Sequence, residues 1–196
     1  NERTARRFLK KTWKEMVIDD YAWVTIHKAE EPVKNQFINF IRNHQNIAII
    51  SEAGCPAIAD PGQVLVAAAH ANGAVVKPLV GPSSILLALM ASGLNGQQFQ
   101  FHGYLPIEAD QRAKTLRQLE SESQKKNCTQ IFIETPYRNN QMMETIVKTC
   151  AADTLVGVAA DLTSPDEWVR TLRVGDWKKA LPDLHKRPVV FCLLRS

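Results

Sequence analysis

Long apolar runs are missing from this chain of 196 residues. The longest, residues 85–91, is far shorter than the roughly 20 apolar residues that a membrane helix needs, so no membrane-spanning segment is expected. Residues 1–14 are basic and lack the apolar core of a secretory signal. The four cysteines include no C-x-x-C pair, which predicts reduced thiols in a cytoplasmic protein and neither a disulfide framework nor a zinc site.

The signatures of several common cofactors are also missing. There is no G-x-x-x-x-G-K-[ST] phosphate loop, no G-x-G-x-x-G after a strand and no glycine-rich loop of ordinary Rossmann methyltransferases. The five histidines are dispersed without an H-E-x-x-H pair, so no metal site is expected. Ser83 and Ser84 lack the G-x-S-x-G elbow, which argues against a serine hydrolase.

The net charge of +4 is mild, but part of the positive charge is ordered along one segment. Basic residues recur at helical spacing near the start of the chain, opposite a side that carries Phe8, Leu9 and Trp13. This pattern predicts an amphipathic helix with a basic stripe. The stripe is either a solvated face or a surface for RNA phosphates, and the candidate RNA-binding residues are Arg3, Arg6, Arg7 and Lys10.

The first half of the chain alternates predicted strands and helices. Residues 21–27, 47–50 and 74–80 have the composition of strands. Helices are predicted at 32–44, at 61–72 with Asp60 as N-cap and Gly73 as terminator, and at 82–92 with Pro82 near the start. Short loops in a βαβα order predict a parallel sheet with right-handed crossovers.

The second half contains more strands than helices, so some strands must be antiparallel. A domain boundary is therefore placed near residues 95–97, giving an N-terminal α/β domain over 1–95 and a C-terminal α/β domain with a mixed sheet over 96–196. The predicted strands are 99–104, 129–134, 155–160, 168–174 and 189–194, and the predicted helices are 109–126, 136–150 and 177–181.

Two loops follow successive predicted parallel strands, at residues 52–62 and 81–84. In open α/β sheets ligands bind at this edge, because the loops form a crevice and helix N-termini point into it. The same loops are equally explained as efficient strand-to-helix turns with good caps. Their spacing alone leaves both interpretations open.

Ordered motifs across nearly the whole chain resemble one family. Residues 51–62, SEAGCPAIADPG, resemble S-D-A-G-T-P-x-I-S-D-P-G of the ribosomal-RNA branch of the tetrapyrrole methylases. Residues 78–84, PLVGPSS, and 91–94, ASGL, are similar to its P-L-P-G-P-S-A and A-S-G-L. Residues 101–106, FHGYLP, and 133–138, IETPYR, resemble F-x-G-F-L-P and Y-E-S-P-H-R. The opening basic helix resembles E-D-T-R-x-T-R-R-L-L.

The resemblance implies two α/β domains with S-adenosylmethionine bound in a cleft between them, a homodimer, and 2′-O-methylation of a cytidine ribose in small-subunit ribosomal RNA. A ribose hydroxyl is a poor nucleophile until its proton is removed, so a general base would help. Glu52 is the candidate base, although it could instead bind the cofactor's amine; Glu134 could serve as base or pair with Arg138. The implied cofactor contacts are Glu52, Pro56, Ala57, Ile58, Asp60, Ser83, Ser84, Thr135, Ala160 and Leu162.

The sequence departs from the family pattern in three places. Glu52 stands where the motif usually has Asp, and Cys55 where it usually has Thr. The family also opens with a strand and a proline- and glycine-rich loop, whereas this sequence begins inside the following helix. We therefore expect roughly 30 to 40 residues upstream of Asn1 to supply a further strand and a cofactor loop. A polypeptide that starts at Asn1 is expected to express poorly or to bind the cofactor weakly.

Two alternatives remain at this stage. The corrin and porphyrin branch of the same family methylates ring carbons and typically has G-D-P where this chain has residues 52–56, EAGCP. A second alternative, of another class, is a non-catalytic S-adenosylmethionine-binding module. Methyl transfer to small ribosomal subunits, measured against a tetrapyrrole control, separates the three readings.

Overall fold

The computed structural model describes residues 1–26 and 30–196, and these form two compact units, Asn1–Ser83 and Ser84–Ser196. No helix of the described residues is long and apolar enough to cross a membrane.

The first unit is helical in its described residues. It contains α1 (Glu2–Thr12), a single 3-10 turn (Ile18–Asp20), α2 (Glu31–Arg42) and α3 (Gln63–Ala71). A small apolar cluster joins α2 to α3, in which Phe37 packs with Leu65, Ala68 and Ala69. The end of α3 agrees with the sequence prediction: Asn72 is the C-cap and Gly73 has a φ of 71°, the left-handed conformation that glycine adopts without a steric penalty.

The start of α3 differs from the predicted Asp60–Pro61 start. The helix begins at Gln63 after Gly62, whose φ of 136° is far from helical, because Pro61 O accepts the Ala57 amide and turns the chain back before the helix. No side chain of Gly62 can cap α3. Glu30 does so from another segment, since its Oε2 accepts the Val64 amide at 3.0 Å.

The three strands predicted in the first half form no β-ladder in the described residues of this unit, so the predicted parallel sheet is not formed there. His27, the last residue of the first predicted strand, lies outside the described residues. Residues 47–50 and 74–80 instead run without regular structure, and Leu79 is 90% exposed. A strand that is apolar on both faces needs hydrogen-bonded neighbours on both edges, and these segments have none among the residues described.

The second unit is built on a five-stranded mixed sheet in the order β1-β2-β5-β3-β4. The strands are β1 (Phe99–Tyr104), β2 (Thr129–Ile133), β3 (Leu155–Ala160), β4 (Trp168–Arg173) and β5 (Val189–Leu194). β1 and β2 are parallel, β5 is antiparallel to both β2 and β3, and β4 is antiparallel to β3. The α/β class and the mixed second sheet are confirmed.

Helices cover both faces of this sheet, as the side-chain alternation of its strands requires. On one face Ile131 and Val190 pack against Ile85 and Leu89 of α4 (Ser84–Ser92). The other face carries the larger core, in which the rings of Phe132 and Phe191 stack 5.5 Å apart. That core is closed by α5 (Ala109–Lys126), α6 (Asn139–Thr149) and α7 (Val174–Trp177).

Two helices of this unit begin later or earlier than predicted. α6 begins at Asn139 and not at Pro136, because residues 135–138 form a turn closed by the hydrogen bond from Arg138 N to Thr135 O. α7 covers Val174–Trp177, where a helix over 177–181 was predicted, because Trp177 is drawn into the core with its indole N–H donating to Val156 O.

The helix α4 packs with the second unit. Its Ser92 carbonyl accepts a hydrogen bond of 2.8 Å from Thr171 on β4, and a Cβ added to Gly157 on β3 would lie 3.1 Å from the Ser92 Cβ. The compact units therefore divide at Ser83–Ser84, while the boundary placed near residues 95–97 follows the sequence pattern alone.

Candidate functional site

The loop over residues 51–62 contains an unusual concentration of left-handed backbone. Gly54 and Gly62 have positive φ, and so do Ala57 (65°) and Ala59 (54°). A side chain with a Cβ disfavours this conformation by about 1–2 kcal/mol, and such residues persist where the surroundings hold them. Here the Ala57 N–H donates a hydrogen bond to Pro61 O, which holds Ala57 in place. Gly62 packs closely against it, since a Cβ added to Gly62 would lie 3.2 Å from the Ala57 nitrogen. The backbone conformation of the loop is therefore fixed by its own contacts.

Cys55 connects this loop to the second predicted ligand loop. Its sulfur lies 3.5 Å from Pro82 O and 3.8 Å from Gly81 O. The two loops that the sequence predicts at one ligand-binding edge are therefore neighbours, although no β-ladder among the described residues positions them. The cysteine, which departs from the usual Thr, forms this contact.

The predicted cofactor residues of the first unit differ in their exposure. The carboxylates of Glu52 and Asp60 are exposed, and Ile58 is 52% exposed. Glu52 Oε2 lies 3.7 Å from the backbone nitrogen of Asn1, so the start of α1 lies beside the loop. The partly buried members of the predicted set are Pro56, Ala57 and Ser83.

In the second unit, strand direction brings three of the remaining predicted residues, Thr135, Ala160 and Leu162, to one edge of the sheet. β2 and β3 run in the same direction on either side of β5, so Thr135 and Leu162 follow strand ends at the same edge. Ser84 is the exposed first residue of α4. Leu162 packs on the face that carries α4, whereas the Ala160 methyl group is fully buried on the opposite face. The Ala160 side chain is therefore not available to a ligand.

Glu134 holds the turn that contains Thr135. Its side chain is 1% exposed, and its Oε1 accepts hydrogen bonds from Thr135 N at 2.6 Å and from Arg138 Nε and Nη2 at 3.1 and 2.6 Å. Arg138 N in turn donates to Thr135 O at 2.9 Å. Both backbone groups of Thr135 are thus committed, so its hydroxyl is the polar group of this residue that remains for a ligand. Of the two interpretations of Glu134, pairing with Arg138 is the one the geometry supports.

A second ion pair fixes the loop after β3, and sequence reasoning missed it. Arg187 Nε donates to Asp161 Oδ2 at 2.5 Å and its Nη2 donates to Asp166 O at 3.0 Å, while Asn139 Nδ2 donates to Arg187 O at 2.7 Å. Asp161 has a φ of 50°, an uncommon conformation that Asp tolerates better than most residues. The partners are 26 positions apart without a shared motif, so no local signal could have identified the pair.

The predicted RNA-binding stripe on α1 is only partly available. Arg6 is bound to Glu2 and Asp19 at 3.0 and 2.6 Å and lies over the Trp23 ring, and Lys10 donates to the carbonyls of Lys14 and Met16. Arg3 and Arg7 are exposed and make no ion pair with the residues that the structure describes. In that same part of the chain, no group of three His, Cys, Asp or Glu side chains is placed to hold a metal ion.

Comparisons with known proteins agree with the motifs. Residues 2–177 match the family described as Tetrapyrrole (Corrin/Porphyrin) Methylases. The chain is 34% identical over 160 residues to "Ribosomal RNA small subunit methyltransferase I" of Mesorhizobium japonicum, which covers 81% of this chain and 53% of that protein. It is 35% identical over 136 residues to the protein of the same name from Escherichia coli O157:H7, with coverage of 69% and 46%. The chain thus spans about half the length of the curated relatives it matches.

Solved structures with low sequence identity share the fold. The crystal structure of the methyltransferase CobJ has a TM-score of 0.60 at 16% identity, covering 91% of this chain and 79% of that one. Uroporphyrin-III C-methyl transferase from Thermus thermophilus complexed with S-adenyl homocysteine has a TM-score of 0.50 at 15% identity, covering 88% and 76%. Because the family match extends over residues 2–177, the resemblance drawn from the motifs is confirmed, and the chain belongs to the tetrapyrrole (corrin/porphyrin) methylases.

Proposed function

We propose that the protein is an S-adenosylmethionine-dependent methyltransferase that methylates the 2′-hydroxyl of a cytidine ribose in small-subunit ribosomal RNA. The observation that carries this proposal is the identity of 34% over 81% of the chain to a relative named for ribosomal RNA methylation. The tetrapyrrole alternative is less well supported, because the uroporphyrin-III C-methyl transferase, which is named for that chemistry, shares only the fold at 15% identity.

On the family resemblance, we propose that residues of both units contact the cofactor, whose sulfonium would supply the methyl group. An amino group would be matched by the exposed carboxylate of Asp60, with Glu52 as its partner only if Glu52 is not the base, and an adenine ring by the exposed side chain of Ile58. The first turn of α3 already binds the Glu30 carboxylate, so we place the cofactor's carboxylate at the hydroxyls of Ser83 and Ser84. The backbone turn at Pro56 and Ala57 would shape the wall of the cofactor site. From the second unit we propose contacts by Thr135, Leu162 and the Ala160 backbone.

For the general base we propose Glu52. Its carboxylate is exposed, and no side chain of the described residues forms an ion pair with it. Glu134 is a poorer candidate, because its side chain is 1% exposed and one oxygen already accepts three hydrogen bonds. In this role Glu52 would accept the proton of the ribose hydroxyl as the oxygen attacks, and holding the reactants in line would supply much of the rate enhancement.

The acceptor and the cellular setting belong to the same proposal. Arg3, Arg6, Arg7 and Lys10 would face RNA, with Arg3 and Arg7 carrying most of the phosphate contacts because Arg6 and Lys10 are engaged within the first unit. On this proposal, a ribosomal substrate would put the protein in the cytoplasm. We also infer a homodimer, on the family resemblance alone.

The test is methyl transfer by the protein as its gene encodes it. Radiolabelled S-adenosylmethionine is supplied with small ribosomal subunits that lack the modification, and with a free tetrapyrrole in parallel. We expect label in 2′-O-methylcytidine, identified by nuclease digestion and mass spectrometry. Label in the tetrapyrrole would favour the corrin and porphyrin branch, and cofactor binding without transfer to either acceptor would favour the non-catalytic module.

Calorimetry with S-adenosylmethionine tests the cofactor site independently of the acceptor. Thr135→Val, which removes the hydroxyl and keeps the shape of the side chain, should weaken binding. Thr115→Val, on α5 and outside the proposed site, is the matched control. Equal affinities for both variants and the wild type would remove Thr135 from the proposed site.

A further inference from the structure

Two aromatic side chains lie exposed beside the turn that contains Thr135. Tyr137 is 72% exposed although it belongs to a turn with both ends fixed, and His185 is also exposed. Their ring centroids are 6.2 Å apart with an interplanar angle of 68°, an edge-to-face arrangement. Neither ring fills the core, so their positions are not explained by packing.

The backbone under this ring pair is held in place before any ligand arrives. Lys186 N donates to Pro136 O at 3.0 Å, which joins the two segments that carry the rings. Asp183 Oδ1 accepts from His185 N and from Asn140 Nδ2, each at 3.0 Å. These bonds, the Asn140 side-chain bond first, hold the pKa of Asp183 below its ordinary value, so the carboxylate stays ionised at neutral pH. A preformed surface loses little conformational freedom on binding.

Among the basic side chains beside the ring pair, one cation remains available, next to the Asp183 carboxylate. Arg138 and Arg187 are neutralised by Glu134 and Asp161. Lys186 is exposed and forms no ion pair within residues 1–26 and 30–196. Two rings and an adjacent free ammonium suit a single-stranded nucleotide, since every base offers a face for stacking and every phosphate a negative charge.

We propose that Tyr137 and His185 form the surface on which an unstacked base of the RNA acceptor stacks, while Lys186 contacts a neighbouring phosphate. This inference rests on the proposed function and adds the residues that hold the acceptor. The turn places Tyr137 two residues from Thr135, so a base held here would lie near the residue assigned to the cofactor. A protein partner fits less well, because the adjoining apolar residue Leu184 is fully buried and adds no exposed apolar surface beside the rings.

The experiment measures binding of a fluorescein-labelled oligocytidylate and of small ribosomal subunits to the protein as its gene encodes it. Tyr137→Ala should weaken binding of both by about 5- to 150-fold, the range that the loss of one base–aromatic stack produces. Tyr137→Phe keeps the ring and should bind within twofold of the wild type. Phe99→Ala is the control. It removes an exposed ring at the start of β1, at the edge of the sheet away from the Thr135 turn, and should have no effect on binding.

Lys186→Ala tests the phosphate contact separately. It should lower the slope of log affinity against log salt by about 0.7, the value expected for one contact to a single strand. Lys179→Ala, which removes an exposed lysine paired with Asp176, should leave the slope unchanged.

The outcomes separate this inference from the function on which it rests. If methyl transfer to small subunits occurs but Tyr137→Ala binds both RNA probes like the wild type, the ring pair is not the acceptor surface. If transfer fails while oligocytidylate binding still depends on Tyr137, the RNA surface stands and the proposed reaction falls. Loss of porphyrin binding in Tyr137→Ala with unchanged RNA binding would overturn the inference. The inference would also fail if sedimentation showed that Tyr137→Ala changes the oligomeric state and that this change explains its weaker RNA binding.

Discussion

Glu134, directly after β2, is a buried carboxylate that holds the following turn by hydrogen bonds. One carboxylate oxygen accepts three hydrogen bonds, two of them from a guanidinium, while the other oxygen is buried without a partner among the described residues. Removing the partner of a buried charge is costly. In this pair the partner, Arg138, also holds the Thr135 turn, because its backbone N–H donates to Thr135 O. The residue therefore links the stability of the second unit to the geometry of the proposed cofactor contact.

We expect Glu134→Gln to lower the free energy of unfolding by about 1.5–3 kcal/mol, because hydrogen bonds to charged groups are worth that much and Arg138 loses its counter-charge. Urea denaturation measures the change. Glu144→Gln is the matched control, since Glu144 also pairs four residues along α6 but is 51% exposed, and its loss should cost under about 0.5 kcal/mol. Equal effects of the two variants would contradict the role assigned to Glu134.

Two buried thiols predict how stability depends on alkaline pH. Burial raises the pKa of Cys150 and of Cys192 from 9.0 to about 12, with the Glu120 carboxylate adding to the effect at Cys150. A raised pKa in the folded state favours the protonated thiol, so this stabilisation is complete below pH 9 and is lost between pH 9 and 12. Each thiol should contribute up to about 1.4 kcal/mol of lost stability per pH unit in that window.

The measurement is the free energy of unfolding at several pH values from 8 upward, for the wild type and for Cys192→Ala. We expect the variant to lose stability with a shallower slope above pH 9, because it has one buried thiol fewer to ionise on unfolding. Identical slopes would show that Cys192 ionises as readily in the folded protein as in the unfolded chain.

At the scale of elements, α1 is the helix whose role depends most on what lies outside it. None of its residues is buried, and Phe8 is 64% exposed. Arg6 is engaged with Glu2, Asp19 and Trp23, which anchors the helix to the segment that follows, so its charge has a structural use. Arg3 and Arg7 form no ion pair in the part of the chain that the structure describes, so their charges are not needed to anchor the helix there.

The double variant Arg3→Ala/Arg7→Ala should therefore bind duplex RNA more weakly at low salt, with a slope of log affinity against log salt reduced by up to about 0.9 per lost phosphate contact. Its stability should change by less than about 0.5 kcal/mol per substitution, as for other surface positions. The control is Lys114→Ala/Lys125→Ala, which removes two exposed charges from α5. A salt slope reduced equally by both pairs would mean that only net charge matters.

At the scale of the whole molecule, the position of α4 decides where one compact unit ends and the next begins. Gly157 permits its contact with the sheet, because a Cβ there would meet Thr171 Oγ1 at 2.9 Å and the Ser92 Cβ at 3.1 Å. Gly157→Ala should force α4 away from β3 and β4 and lower the free energy of unfolding by about 1–3 kcal/mol, as overpacked cores do.

Hydrogen exchange distinguishes this from a general loss of stability. Amides of α4 should exchange faster in Gly157→Ala together with those of β3 and β4, whereas amides of α2 and α3 should keep their rates if the first unit is independent. Gly96→Ala, where an added Cβ meets nothing within 4 Å, is the control. Faster exchange throughout the chain would contradict the division at Ser83–Ser84.

The sequence alone determined much of the second unit and the identity of the family. The bounds of β1, α5, β3 and β5 follow from patterns that are local: alternating or continuous apolar residues between polar breaks. The motifs at residues 51–62 and 133–138 identified the family because backbone turns of this kind need specific residues at fixed spacing. Both kinds of signal lie within a few consecutive residues, where sequence reasoning is strongest.

Only the tertiary structure decided which segments find partners. Residues 47–50 and 74–80 have strand composition yet form no ladder, because a strand is stabilised by its neighbours and not by its own residues. The assignment of α4 to the second unit and the pairing of Asp161 with Arg187 likewise depend on residues far apart in the chain. The charge of Arg6 was visible in the sequence, but its commitment to Asp19 and Trp23 was not, because that contact forms only once the chain after α1 turns back along the helix.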